Sequence, residues 1–262
     1  METGLSGKVA LITGGSQGIG KKISLALAHE GVNVGICARN KKNLATAAKD
    51  ITDTSNVDVA AVQADCMNAE QIKVMVASVT EQLGNIDILI NCVGRAKAGT
   101  FLELTDEDWF DTIHLKLMAA VRVTREVLPQ MVHAQSGRII MIGGVFGIQP
   151  NPFSIPMGVV NAGLFNFTKG LAQDVACHNI LVNAVAPGRV DTPLFQKLVA
   201  SQAQRLSCDP NDAMTQILSE VPIGRAADPA EIASVVVFLA SNLASYITGE
   251  IITVDGCWTK CV

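Results

Sequence analysis

The chain has 262 residues, 49% of them hydrophobic and 17% charged, and a net charge of −4. That balance excludes a disordered chain, and the length suits one large α/β domain. No basic run interleaves with aromatics, so a nucleic-acid partner is not expected. No apolar run approaches the ~20 residues that span a bilayer, so no membrane association is expected. Residues 1–7 are short and polar, unlike a signal peptide, and the expected location is cytoplasmic. The seven cysteines are scattered, none form Cys-x-x-Cys, and the four histidines show no metal spacing. Reduced thiols and no metal site are expected.

Short β-branched runs alternate with helical stretches. Strands are predicted over 8–13, 32–38, 57–63 and 87–91, with helices over 18–30, 42–52 and 69–83 between them. The theme continues with one long helix over 109–132, broken late by Pro129, and a strand over 137–142. A helix over 158–177, a strand over 180–185, a helix over 229–239 and a strand over 250–254 complete it. Near-continuous apolar strands suit a parallel sheet covered on both faces. The predicted fold is therefore a single-domain, doubly wound parallel sheet, Rossmann-like, over 1–262. Residues 193–225 interrupt the alternation and are polar, which predicts a mobile flap over a pocket.

The turn Thr13-Gly14-Gly15-Ser16-Gln17-Gly18-Ile19-Gly20 joins the first strand to the first helix. Gly18 lets backbone approach a pyrophosphate, Gly20 lets helix and strand pack closely, and the helix N-terminus favours an anion. The spacing Gly14-x-x-x-Gly18-x-Gly20 departs from the usual Gly-x-Gly-x-x-Gly fingerprint. Taken alone, it also fits a tight turn that binds nothing.

With this turn the chain resembles the short-chain dehydrogenase/reductase family over nearly its whole length. Residues 13–20 match that family's Thr-Gly-x-x-x-Gly-x-Gly, and Asp65 matches its adenine-contacting acid. Asn91-Cys92-Val93-Gly94 resembles a worn Asn-Asn-Ala-Gly. Asn183-Ala184-Val185-Ala186-Pro187-Gly188 and Thr192 match the stretch beside the nicotinamide. Pro222-Ile223-Gly224-Arg225, Phe238-Leu239-Ala240-Ser241 and Asp255-Gly256 resemble the C-terminal signature. The resemblance implies a nicotinamide dinucleotide held by Gly14, Ser16, Gln17, Gly18, Ile19, Gly20, Asp65, Asn91, Gly94, Pro187, Gly188 and Thr192. NAD-preferring members usually carry an acid where Ala38 stands, and here Arg39 follows instead. An arginine pairs with a 2′-phosphate, so NADP is favoured over NAD, with Arg39 among the cofactor residues.

The resemblance also implies a tyrosine acid, a lysine four residues later, a serine and an asparagine. Counting the family's register puts Gly144 at the serine, Met157 at the tyrosine, Asn161 at the lysine and Lys116 at the asparagine. The one tyrosine, Tyr246, stands in a turn near the family's subunit contact. Lys116 is titratable, with His114 near it in sequence, and Ser154 lies before Met157. Lys116 reads either as a rebuilt catalytic group or as a structural cation on a backbone carbonyl or carboxylate. Asp106, Glu107 and Asp108 read as first-turn helix residues. Leu115, Leu117, Met118 and Val121 read as core or interface. The apolar loop with Phe146, Ile148, Pro150, Pro152, Phe153 and Ile155 either plugs the pocket or lines a hydrophobic one.

No catalytic residue of the family's own set is assigned. The favoured expectation is a catalytically degenerate subunit beside an active sister chain, in a hetero-oligomeric NAD(P)-dependent dehydrogenase of the hydroxyacyl type, with acyl-CoA thioesters among its candidate substrates. The alternatives are an active NADP(H)-dependent oxidoreductase, or a non-redox lyase or isomerase, rebuilt around Lys116, and a nucleotide-sensing binding protein.

Overall fold

The computed structural model describes residues 2–95 and 97–261. Met1, Ala96 and Val262 of the domain read over 1–262 lie outside the described residues. The first half runs β1 (Val9–Thr13), α1 (Gly18–His29), β2 (Asn33–Ala38), α2 (Lys41–Thr54), β3 (Val59–Gln63), α3 (Ala69–Leu83) and β4 (Ile88–Asn91). The second half runs α4 (Asp106–Thr112), α5 (Ala119–Ala134), β5 (Gly137–Ile142), α6 (Ile155–Val175), β6 (Ile180–Pro187), α7 (Pro193–Leu206), α8 (Pro210–Leu218), α9 (Pro229–Ala240) and β7 (Ile251–Val254).

The seven strands form one parallel sheet in the order β3-β2-β1-β4-β5-β6-β7. Strand order reverses between β1 and β4, which opens a crevice at their carboxyl ends. Side chains alternate across the sheet. Leu11 and Leu89 join the core under α3, α5 and α6. Ala10 and Ile12 join the core under α1, α2 and α9. Helix starts follow their caps: Asn40 accepts from the Asn43 amide, Asn68 from Gln71, and Asp228 forms a capping box with Glu231.

Two expectations change. The long helix is not broken at Pro129, which lies inside α5 while the helix continues to Ala134. The Pro129 ring removes a bond to the carbonyl of Arg125, an exposed residue, so the loss falls on the solvent side. The interruption comes earlier, as a π-helical stretch over Ile113–Met118. The helix also starts earlier, at Asp106, because Thr105 and Asp108 make a capping box. Residues 193–225 are mainly helical: α7 and α8 close on a small core of their own, built from Phe195, Val199, Ala203, Ala213 and Ile217. No helix among the described residues is long and apolar enough to cross a membrane.

Candidate functional site

The glycine-rich turn sits over the carboxyl end of β1. Gly14 and Gly18 take φ values of +70° and +54°, which favour glycine. A Cβ on Gly20 would overlap the Gly14 carbonyl, so only glycine lets α1 start this close to β1. Gln17, the N-cap of α1, makes no side-chain cap bond. The first-turn N–H groups of α1 therefore lack a side-chain partner and suit an anion. Ser16 and Ile19 flank this turn, and Thr192 faces it: a Cβ on Gly18 would stand 3.3 Å from the Thr192 methyl. The Thr192 hydroxyl accepts from the Phe195 amide at 3.2 Å, which starts α7.

Arg39 follows β2 and Asp65 follows β3. Their side chains approach to 3.9 Å, too long for a hydrogen bond, and Arg39 is half exposed. The pair shares one end of the crevice because β2 and β3 are hydrogen-bonded neighbours. Cys37 and Cys66 lie beneath it, with sulfurs 3.7 Å apart, and the Cys37 carbonyl accepts from the Gly14 amide at 3.0 Å. All seven cysteines are free.

At the β4 end, Thr13 ties the edge together: its hydroxyl donates to the Ile90 carbonyl at 3.3 Å and accepts from the Cys92 amide at 3.0 Å. The Asn91 amide is directed into the fold, donating to Thr124 at 3.2 Å. Its side chain thus anchors the strand end to α5 instead of reaching into the crevice. Asn183 plays a similar part, joining β6 to the Ile247 carbonyl and the Glu250 amide. Pro187 ends β6, and the Gly188 amide donates to Val254 at 3.0 Å.

Across the crevice, Lys116 emerges from the π-helical stretch and is 7% exposed. Its ammonium donates to the Gly143 carbonyl at 3.2 Å. A Cβ on Gly94 would lie 3.0 Å from Nζ, so Gly94 makes room for the lysine. Burial pulls the Lys116 pKa down to about 8, and Cys92 pulls it slightly back up. The Cys92 thiol is itself pushed up to about 11 by burial. Gly144, one residue beyond Gly143, faces Asn161: a Cβ there would stand 3.1 Å from the Asn161 amide nitrogen. Asn161 is 1% exposed and its Oδ1 has no partner. Met157 lies one turn before it in α6. The structure therefore brings Gly94, Lys116, Gly143, Gly144 and Asn161 into one neighbourhood.

Other expectations separate from that neighbourhood. Tyr246 is fully exposed. Asp106, Glu107 and Asp108 occupy the first turn of α4, where Asp108 pairs with Lys97 at 2.9 Å. Leu115 is core, while Leu117, Met118 and Val121 are partly buried. Phe146 packs against Trp258 and Val145, whereas Phe153 stays exposed beneath Arg205 of α7. Nothing in the sequence pattern marks Arg189 or Trp258, yet the fold brings both to Phe146. The available signal was position: Arg189 directly follows Pro187-Gly188. Among the described residues no group of acids, cysteines and histidines could hold a metal.

A parallel sheet with a glycine-rich turn at its switch point defines a dinucleotide-fold protein. Residues 14–259 match the family profile described as enoyl-(acyl carrier protein) reductase. The 3-oxoacyl-(acyl-carrier-protein) reductase FabG of Thermotoga maritima is 36% identical over 253 residues, covering 96% of this chain and 98% of its own. The reductase of that name from Vibrio cholerae is 36% identical over 252 residues, covering 96% and 97%. L-sorbose reductase from Gluconobacter frateurii, solved with NADPH and L-sorbose, superposes with a TM-score of 0.95 at 35% identity, covering 100% of both chains. An actinorhodin polyketide ketoreductase variant with NADPH superposes at 0.93 with 33% identity, covering 97% of both. The chain belongs to the short-chain dehydrogenase/reductase family.

Proposed function

We propose that this chain is an NADP(H)-dependent oxidoreductase that reduces a carbonyl group, with Lys116 as the proton donor. The observation that carries the reading is the lone, buried Lys116 ammonium. No carboxylate offsets it among the described residues, and burial lowers its pKa to about 8. Such a group costs the fold stability, which is the pattern expected of a functional site. At neutral pH it is still protonated, so it can donate.

The nucleotide reading rests on the fit of the residues. The α1 N-terminus and the backbone of Gly14, Ser16, Gln17, Gly18, Ile19 and Gly20 would hold the pyrophosphate. Arg39, with Ala38 in place of an acid, would take a 2′-phosphate. Asp65 would meet the adenine, and Gly94, Pro187, Gly188 and Thr192 would border the nicotinamide half. Asn91 would act by fixing the end of β4. NADPH would supply the hydride. Lys116 would deliver the proton, and Asn161, with its unpartnered Oδ1, would orient a donor group beside Gly144. The family's cation and amide are thereby exchanged between helices: the lysine comes from the α4–α5 junction and the asparagine from α6. Helices α7 and α8 would form the flap over this site. NADPH use by L-sorbose reductase and the ketoreductase supports the cofactor assignment.

A second reading is favoured by one observation. Gly144, Met157 and Asn161 have no proton to give, which fits a degenerate subunit positioning an active sister chain. Exposed Phe110 and Val159 on α4 and α6 support an oligomer. The test is NADPH consumption by the purified chain with a panel of ketones and acetoacetyl thioesters. Turnover lost in Lys116→Met with NADPH affinity intact supports the first reading. NADPH binding without turnover, restored on adding a sister chain with Tyr-x-x-x-Lys, supports the second.

A further inference from the structure

Arg189 differs from the other buried or paired arginines. Arg225 holds Glu231 with two bonds at 2.7 and 2.8 Å. Arg122 donates to the Met67 carbonyl and Arg138 to the Gly137 carbonyl. Arg189 has no such partner among the described residues, and its buried Nε, like that of Arg138, is unsatisfied. Glu220 reaches it only as a charge at longer range.

Its orientation is nonetheless defined. The guanidinium carbon lies 4.3 Å from the Trp258 ring centre and 5.8 Å from that of Phe146. The two rings meet edge to face at 5.5 Å, and Val145 and Val221 close the cluster. Aromatic faces hold a guanidinium by its flat side and leave N–H donors at its edge. A guanidinium does not deprotonate, so partial burial without a hydrogen-bonded counter-ion leaves its donors open to an anion.

The backbone that carries this group runs beside Gly144. Arg189 is two residues past Pro187, whose carbonyl lies 3.9 Å from where a Gly144 Cβ would stand. Phe146 is two residues past Gly144. Arg189 also borders a hollow of about 70 Å³. The two acids there are engaged: Asp255 accepts from the Cys257 and Thr259 amides, and Glu231 is held by Arg225.

We propose that Arg189 receives an anionic group of the substrate, so that the chain acts on a carbonyl or hydroxyl compound bearing a carboxylate or a phosphate. This rests on the oxidoreductase reading for the reaction but not for the binding. Planar N–H donors suit both anions, as paired bonds to two oxygens.

The test is calorimetric binding to the full chain, with and without NADPH, of two matched pairs. One pair is acetoacetate and ethyl acetoacetate; the other is S-acetoacetyl-phosphopantetheine and S-acetoacetyl-pantetheine. The anionic member of one pair should bind at least roughly tenfold more tightly than its neutral partner, the size of one charge-assisted contact. Arg189→Met, which keeps apolar bulk against Trp258, should abolish the preference with NADPH affinity unchanged, and Arg189→Lys should retain part of it. The first pair points to a carboxylate, the second to a phosphate. Equal binding within both pairs, or a preference that survives Arg189→Met, overturns the proposal. If the methionine variant does not fold, an undiminished preference in Arg189→Lys overturns it. Anion preference without NADPH oxidation sinks the oxidoreductase reading and leaves this one standing.

Discussion

Between pH 8 and 10.5 the unfolded chain holds the Lys116 proton more tightly than the folded chain does. Stability contributed at this site therefore rises with pH across that window. Below it, the depressed lysine costs about 3 kcal/mol. Lys116→Met should raise the melting temperature at pH 7, and the difference should shrink as pH rises toward 10.5. A variant less stable than the parent at pH 7 would mean the ammonium is held by its carbonyl bond more strongly than burial opposes it. At the other end of the crevice, Arg39→Ala should weaken NADPH binding roughly 10–100-fold while leaving NADH little changed. Parallel titrations of both nucleotides check this; equal losses would place Arg39 away from the 2′-phosphate. The candidate residues of the glycine-rich turn were legible because glycine has a narrow set of uses. Lys116 was legible as a substitution and as a cation reaching a backbone carbonyl, but not which carbonyl, because Gly143 comes from the far end of β5 and meets it only in the fold.

Strands were the most legible elements, since buried parallel strands are near-continuous apolar runs that few other structures require. The π-helical stretch over Ile113–Met118 was not legible, because an extra residue in a turn leaves no mark in a 3.6-residue period. It turns Lys116 inward while α5 still packs Val123 and Val127 against the sheet. Residues 193–225 were read as a polar flap because they break the strand–helix alternation; in the fold α7 and α8 enclose a small core of their own. That separation predicts local opening. Ile217→Ala removes a side chain that is 3% exposed, in a core distinct from the two beneath the sheet. The cost of about 2–5 kcal/mol should appear as faster hydrogen exchange over 193–218, with β1, β4 and β5 still protected. Exchange rising equally in the strands would show that the pair folds as one unit with the sheet.

At the level of the whole molecule, two cores on either side of one sheet make a rigid platform, and chemistry gathers where loops leave its carboxyl edge. The resemblance in the glycine turn and the Asn-x-x-x-Pro-Gly stretch led to the family, which similarity over 96% of the chain to the Thermotoga reductase establishes. What the pattern did not disclose was that Lys116 reaches the Gly143 carbonyl and that Arg189 stacks on Trp258, since those partners lie on different elements and meet only through the fold. The reductase account makes its most direct claim about acid dependence. The measurement is the pH profile of NADPH-dependent carbonyl reduction by the purified chain from pH 6 to 10. The account predicts a rate that falls as pH rises through about 8, where Lys116 loses its proton, and turnover in Lys116→Met that is lost at every pH. A flat profile, or the same profile in both proteins, would contradict it.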